Sequence, residues 1–373
     1  MDRRYWRWSA GAQLVRLPSM MAPLAFAVLA TQVTGSYRLG GLMMAVFVAA
    51  EVIAAGPVGR LLDRIGVARG LRLLLVLCAV SLVALALVSA VPAVMVACVV
   101  VTGALGGGLA GGVRALLGSV VKPTSLERAT SIDAVIVEIV VVGGPLVVAL
   151  LTPFGGVVPV LGMAGSYLFA ALLVPQVAVS RSRGGSWPRI GPWLFCAFGF
   201  GHLLSTIEVA SLPLGQRVGG GPATAVLVVA LLTGASVLGG ICYAWWGPRL
   251  RLDRRVRAVL LLVGMAVGAV LVAFGWNWPM LAAGLVTVGV WTGPLNTAMS
   301  VHLQTTLPAD RRAEGFGLVF TAQAAGFALG SLSVSVLPLT AAPLLGAFSA
   351  LIAAACIAAT PVAKPVTVEY PPR

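Results

Sequence analysis

The sequence predicts an all-α integral membrane protein of about twelve transmembrane helices in two pseudo-symmetric six-helix bundles. Three observations carry that expectation. Hydrophobic residues make up 59% of the 373 and charged residues only 10%. A water-soluble domain carries about 25% charged residues, so this chain lacks the side chains to cover a wetted surface. Its mean hydropathy of +1.02 is spread over repeated runs of the length, ~20 apolar residues, that crosses the hydrocarbon core as a helix. The basic residues fall in every second connection between those runs.

In chain order the runs fall near 15–35, 39–59, 71–90, 93–117, 130–151, 157–176, 191–213, 223–246, 258–275, 279–303, 314–336 and 341–360. Helices are expected because backbone groups in lipid must bond within their own segment. The short alternating segments of a β-barrel are absent. The N-terminal MDRRYWRW is basic and precedes an apolar run. No small-residue cleavage pattern follows it, so it reads as the start of a retained first helix rather than a leader. The division expected is an N-terminal bundle at 1–176, a short linker at 177–190 and a C-terminal bundle with its tail at 191–373.

Orientation follows from charge. With the N-terminus inside, 23 of the 25 lysines and arginines fall on the cytoplasmic side, and only Arg38 and Arg217 fall outside. This is the positive-inside bias repeated at every connection. Both termini are therefore expected in the cytoplasm. The net charge of +14 is explained by topology and not by a nucleic-acid surface. Trp6, Trp8, Trp187, Trp193, Trp245, Trp246, Trp276 and Trp278 stand near expected helix ends, as an interfacial belt does. Trp291 alone is mid-span. The five cysteines lie scattered in apolar segments without metal-ligand spacing and read as small packing residues. No metal cluster, cofactor motif or phosphate-cradling loop ending in Lys-Ser/Thr is present in the sequence.

The two halves carry a faint repeat. Residues 113–129 and 298–313 each read as a helix end, a proline, a short polar stretch and then Arg-Ala, at Arg128-Ala129 and Arg312-Ala313. Gly59 and Gly247 open basic connections at nearly the same offset, although the stretch after Gly247 is degenerate and is expected to carry no latch.

The most informative connection joins the second and third runs: Gly59-Arg60-Leu61-Leu62-Asp63-Arg64-Ile65-Gly66, then Val67-Ala68-Arg69. It resembles the signature loop of the major facilitator superfamily, with Gly59, Asp63, Arg64 and Gly66 at matching positions and the family's final basic pair missing. An Asp at such a corner suits the N-terminus of a facing helix, where the dipole favours negative charge, or a pair with a nearby arginine. The resemblance implies a gate that latches the two halves, and parallel halves about an axis along the membrane normal are a known transporter plan. In the fifth run, Gly144-Pro145 resembles part of a bend element of exporters in the same superfamily. It predicts a pliable bend and a small face against the opposite half. The family's fourth-helix arginine has no match, and Arg114 lies nearer the cytoplasmic end.

Ionisable residues inside spans are costly and are functional candidates by default. Glu138, Glu208, His202 and Glu51 are the candidates for proton coupling. Asp133, near the cytoplasmic end of the fifth run, is expected to pair with a loop arginine. Trp291 and Asn296, flanking Gly293-Pro294, are candidates for a substrate-cavity wall.

The resemblance thus implies a secondary transporter in the plasma membrane, a monomer exchanging a small organic substrate for protons by alternating access. A nutrient importer of the same fold is the alternative within the class. A membrane-embedded acyltransferase, resting on His302 and Asp310, is the alternative outside it.

Overall fold

The computed structural model describes residues 2–35, 38–88, 91–175, 190–220, 222–249 and 252–360. The expected linker lies outside the described residues except for Ile190, as does the chain beyond 360. The described residues form α1 (Arg3–Thr34), α2 (Arg38–Ile65), α3 (Val67–Leu87), α4 (Pro92–Gly106), α5 (Leu109–Val120), α6 (Leu126–Leu151) and α7 (Val158–Leu173). They continue as α8 (Gly191–Glu208), α9 (Ser211–Arg217), α10 (Pro222–Trp246), α11 (Arg254–Ala273), α12 (Trp278–Thr306), α13 (Arg312–Val336) and α14 (Ala341–Ala358).

Among the described residues ten helical segments are long and apolar enough to cross a membrane, counting α4 and α5 together as one. The pair α8 and α9, bent by 50°, supplies an eleventh, and α7 is a shorter apolar helix. This is consistent with the twelve expected spans. The first helix begins well before the apolar run. Asp2 accepts from the Tyr5 amide at 3.0 Å and starts α1 within the basic segment. Consequently Trp8 is no belt residue. It is buried among the helices, and its indole donates to the Val113 carbonyl at 3.0 Å. Trp193 is buried as well, whereas Trp6, Trp245, Trp246 and Trp276 are exposed at helix ends as expected.

Close approach explains several glycines. A Cβ on Gly103 or Gly107 would collide with the α2 backbone at Phe47 or Glu51, which is why the α4–α5 break can lie flat against α2. Gly66 sits at φ 94° and is the single residue between α2 and α3, a conformation that glycine adopts without strain.

Two apolar cores result. One is built mainly from α1 to α7 around Tyr5, Trp8, Phe26, Phe47 and Tyr167. The other is built from α8 to α14 around Trp193, Phe200, Met265 and Phe316. Within the first, Arg16 clasps Asp133 through two bonds at 2.7 and 2.8 Å, and Gln13 adds a third at 2.9 Å. The partner of Asp133 is therefore a helix residue of α1. The faint repeat has a structural counterpart. A 3₁₀ turn, Pro123–Ser125, precedes α6, and another, Ala309–Arg311, precedes α13.

Candidate functional site: a gate at the basic end and a cavity between the halves

The helix ends that carry the arginines gather at one end of the bundle, here called the basic end. The halves meet there. The signature segment is helical through Ile65, so Asp63 projects from the last turn of α2. Its carboxylate accepts from the Ala313 amide at 3.1 Å and the Glu314 amide at 2.8 Å, capping the N-terminus of α13. Two unpaired amides and the helix dipole both favour the negative charge at that spot. Gly59 makes the contact possible, because a Cβ there would stand 2.6 Å from the Ala313 carbonyl oxygen. A Cβ on Gly111 of α5 would likewise stand 2.7 Å from that oxygen. Arg64, expected to share in the gate, is exposed, and the cation that crosses to the other half is Arg60, one turn earlier, at 2.7 Å from Glu314. Arg60 and Arg64, four residues apart, lie on one stripe of α2, and Arg60 is the one that stands level with Glu314.

A second tie lies on the other side. Arg257 of α11 binds Glu127 in the first turn of α6 at 2.6 Å, and also donates to the Gly247 carbonyl at 3.1 Å and the Tyr243 hydroxyl at 3.3 Å. The cation of this tie, Arg257, lies beyond the degenerate stretch, of which only the Gly247 carbonyl takes part. The acids of both ties, Glu314 and Glu127, occupy the first turn of the helix after the repeated proline element. Sequence reading missed Arg60, Glu127, Arg257 and Glu314. The repeat at Arg128 and Arg312 was the available signal, since it marks both helix starts. Gln304 of α12 adds a bond to the Arg114 carbonyl.

Moving away from the basic end, the ties between the halves continue to Ser131–Thr297 at 3.4 Å, Ser236–Glu138 at 3.4 Å and Thr321–Val52 at 3.1 Å. Directly at this depth lies a cavity of about 170 Å³ between α6, α8, α10, α12 and α13. Glu138 faces it from α6, and Glu208 faces it from the last residue of α8, next to the 50° bend. Asn296, Ser236, Thr233 and Gln323 supply neutral polar groups. On α8, Phe200, Leu204 and Glu208 recur every fourth residue along the cavity face, the spacing of one helix stripe.

The other candidates are placed elsewhere. His202 is buried, and its ring nitrogens meet Ser349 at 2.8 Å and Ser333 at 3.4 Å, so it joins α8 to α14 and α13 rather than lining the cavity. Trp291 lies on another face of α12 from Asn296 and lines a separate apolar groove with α10 and α11. Five residues along a helix turn a side chain by about 140°, which separates the two. Gly144 packs against Met20 of α1, within its own half and not against the opposite one, and α6 runs unbroken through Pro145. Glu51 stands on α2 where its backbone meets Gly107. His302 is stacked on Trp193 at 4.0 Å and meets the Thr306 hydroxyl at 3.3 Å, with no bond to Asp310 among the described residues.

Comparison with solved structures finds the same architecture. The human organic anion transporter MFSD10 (TETRAN) superposes with a TM-score of 0.77 at 16% identity, covering 96% of this chain and 100% of that one. A bacterial homologue of the iron transporter ferroportin in an outward-facing state gives 0.75 at 14% identity, with 95% and 98% covered. The E. coli fucose:proton symporter FucP gives 0.75 at 13%, with 95% and 99% covered. At these identities the likeness is one of fold. No curated protein matches the sequence. The family model described as Major Facilitator Superfamily matches residues 10–331. A polytopic all-helical chain with a cavity between its halves, tied together by a segment like the superfamily's signature loop and matched by the family model over most of its length, belongs to the Major Facilitator Superfamily.

Proposed function

We propose that the chain is a proton-coupled exporter of small organic molecules that works by alternating access. The observation that supports this reading best is the shared cavity, into which each half contributes one carboxylate, Glu138 and Glu208. The halves are tied at the basic end, so the arrangement corresponds to a state closed on that side. By the positive-inside bias the basic end faces the cytoplasm, in the plasma membrane, with both termini inside. The protein works as a monomer, since cavity and gates are complete within one chain.

In the cycle, the cytoplasmic gate opens when the Asp63 cap and the Arg257–Glu127 pair are released. Substrate enters against Asn296, Ser236 and Gln323 while the carboxylates give up protons. The gate re-forms before the opposite side opens, substrate then leaves, and protons reload from that side. Carboxylates at mid-membrane are costly unless they do such work. The exporter direction rests on the Gly144-Pro145 resemblance, and Gly144 packs on α1 of the same half. Flux of a stabilising compound in inverted and right-side-out vesicles tests the direction. Accumulation in inverted vesicles under an inside-acid gradient supports export, and accumulation only in right-side-out vesicles indicates import.

A further inference from the structure

The largest described hollow is not the one between the halves. A groove of about 540 Å³ runs along the outside of the second half, walled by α10 and α11 and floored by Trp291 and Pro294 of α12. Its lining is apolar except at one end, where the Tyr243 hydroxyl and the Arg257 guanidinium stand. Leu238, Cys242, Trp246, Leu260 and Val263, along its edges, are all exposed. An apolar face exposed on a membrane-spanning bundle is turned to the bilayer. From Leu238 to Trp246 the groove extends eight helical residues, about 12 Å. One leaflet of a ~30 Å hydrocarbon core has about 15 Å, so the groove occupies the depth of a single leaflet, on the basic side.

The groove shares Tyr243 and Arg257 with an adjoining hollow of about 230 Å³. That second hollow is polar, with Arg254, Arg257, Glu127, Thr124 and Thr305 in its wall. Two arginines and one glutamate leave it one positive charge in excess. Arg249 and Arg254 are exposed at the same end, with Asp253 as the acid beside them. An apolar slot of leaflet depth that opens onto a cationic polar hollow matches an amphiphile with an acyl chain and an anionic head. We propose that an anionic phospholipid of the leaflet at the basic end occupies this site. Its chain lies in the groove over Trp291, and its phosphate stands by Arg254 and Arg249.

Trp291 provides the readout. The full chain is reconstituted in phosphatidylcholine vesicles containing a small fraction of either phosphatidylglycerol or phosphatidylcholine brominated at mid-chain. Quenching of Trp291 is the difference between the wild type and Trp291→Phe. The site predicts that brominated phosphatidylglycerol quenches this component at roughly 25-fold lower mole fraction than brominated phosphatidylcholine, about five-fold for each of two arginines. Arg249→Gln with Arg254→Gln removes the preference, by roughly five-fold per arginine, the equivalent of about 1 kcal/mol each. Equal quenching by the two lipids shows that only bulk lipid fills the groove and overturns the proposal. So does a preference that survives loss of both arginines. If Trp291→Phe does not fold, total tryptophan quenching of the wild type against the arginine variant decides by the same comparison.

Discussion

At the scale of single residues, environment separates carboxylates that hold the fold from those available for work. Asp133 is buried, and Arg16 grips it from two directions. Breaking a buried ion pair by removing one partner costs about 3–5 kcal/mol. Asp133→Ala should therefore cut the yield and thermal stability of the purified protein whatever its effect on flux. Asp63 differs, because its two bonds cross from one half to the other at the basic end. Asp63→Asn keeps one acceptor but sets an amide against the second N–H. Hydrogen bonds to a charged group contribute about 1.5–3 kcal/mol, which here biases one conformation over another. The variant should retain its melting temperature and lose most of its transport, and normal transport would remove the gate. His202 lies on the structural side of this division. His202→Gln should lower thermal stability by loosening the serine contacts while leaving proton coupling intact, and an altered pH dependence of flux would return it to the cavity chemistry. The sequence exposed the charged residues in spans because so few exist. It did not distinguish their roles, since partner and cavity depend on which helix face meets which neighbour. Trp291 and Asn296, five residues apart, ended on different surfaces for that reason alone.

At the scale of elements, the gate is a helix-to-helix fit in which polar ties differ in worth. The Arg60 side chain is 59% exposed, whereas Arg257 and Glu127 are 15% and 18% exposed. Glu314, however, is only 7% exposed, so Arg60→Ala leaves a buried carboxylate without this partner and should weaken closure of the basic end, read as reduced transport. The Arg257–Glu127 pair should show a coupling energy of about 1–3 kcal/mol in a double-mutant cycle, read from the equilibrium between open and closed basic ends. A coupling near zero would demote it to an incidental contact. Packing matters as much as charge. Gly59→Leu drives a side chain into the Ala313 carbonyl, and overpacking costs about 1–3 kcal/mol. It should shift the protein toward an open basic end, detected as faster thiol labelling of a cysteine placed at Gln304. Labelling at the wild-type rate would contradict the fit. The existence of the helices was legible in their apolar length. The first helix start was not, because its basic opening turn is held by an Asp2 cap and by burial of Trp8 rather than by hydropathy. The latch of the second half was hidden for a related reason. Its cation, Arg257, sits beyond the degenerate motif and reaches back across a helix turn.

At the scale of the whole molecule, twelve apolar runs and the alternation of basic connections already implied the fold, since each follows from the cost of exposing backbone or charge to hydrocarbon. What the pattern lacked was the interface. The ties between halves run from the basic end to mid-depth, and the cavity begins where they stop. Rocking about that depth would exchange one closed end for the other, and the two carboxylates, one from each half, would be where access switches. The central claim is that this exchange carries protons against substrate through Glu138 and Glu208. The most direct measurement uses the purified chain in liposomes with a trapped pH indicator and an imposed gradient of a small organic compound that raises its melting temperature. The account predicts that the compound's flux drives protons the opposite way, and that Glu138→Gln and Glu208→Gln each reduce this proton movement more than ten-fold (about 1.4 kcal/mol or more) while at least one still binds the compound. Substrate flux with no proton movement, or proton movement unchanged in both variants, would contradict it.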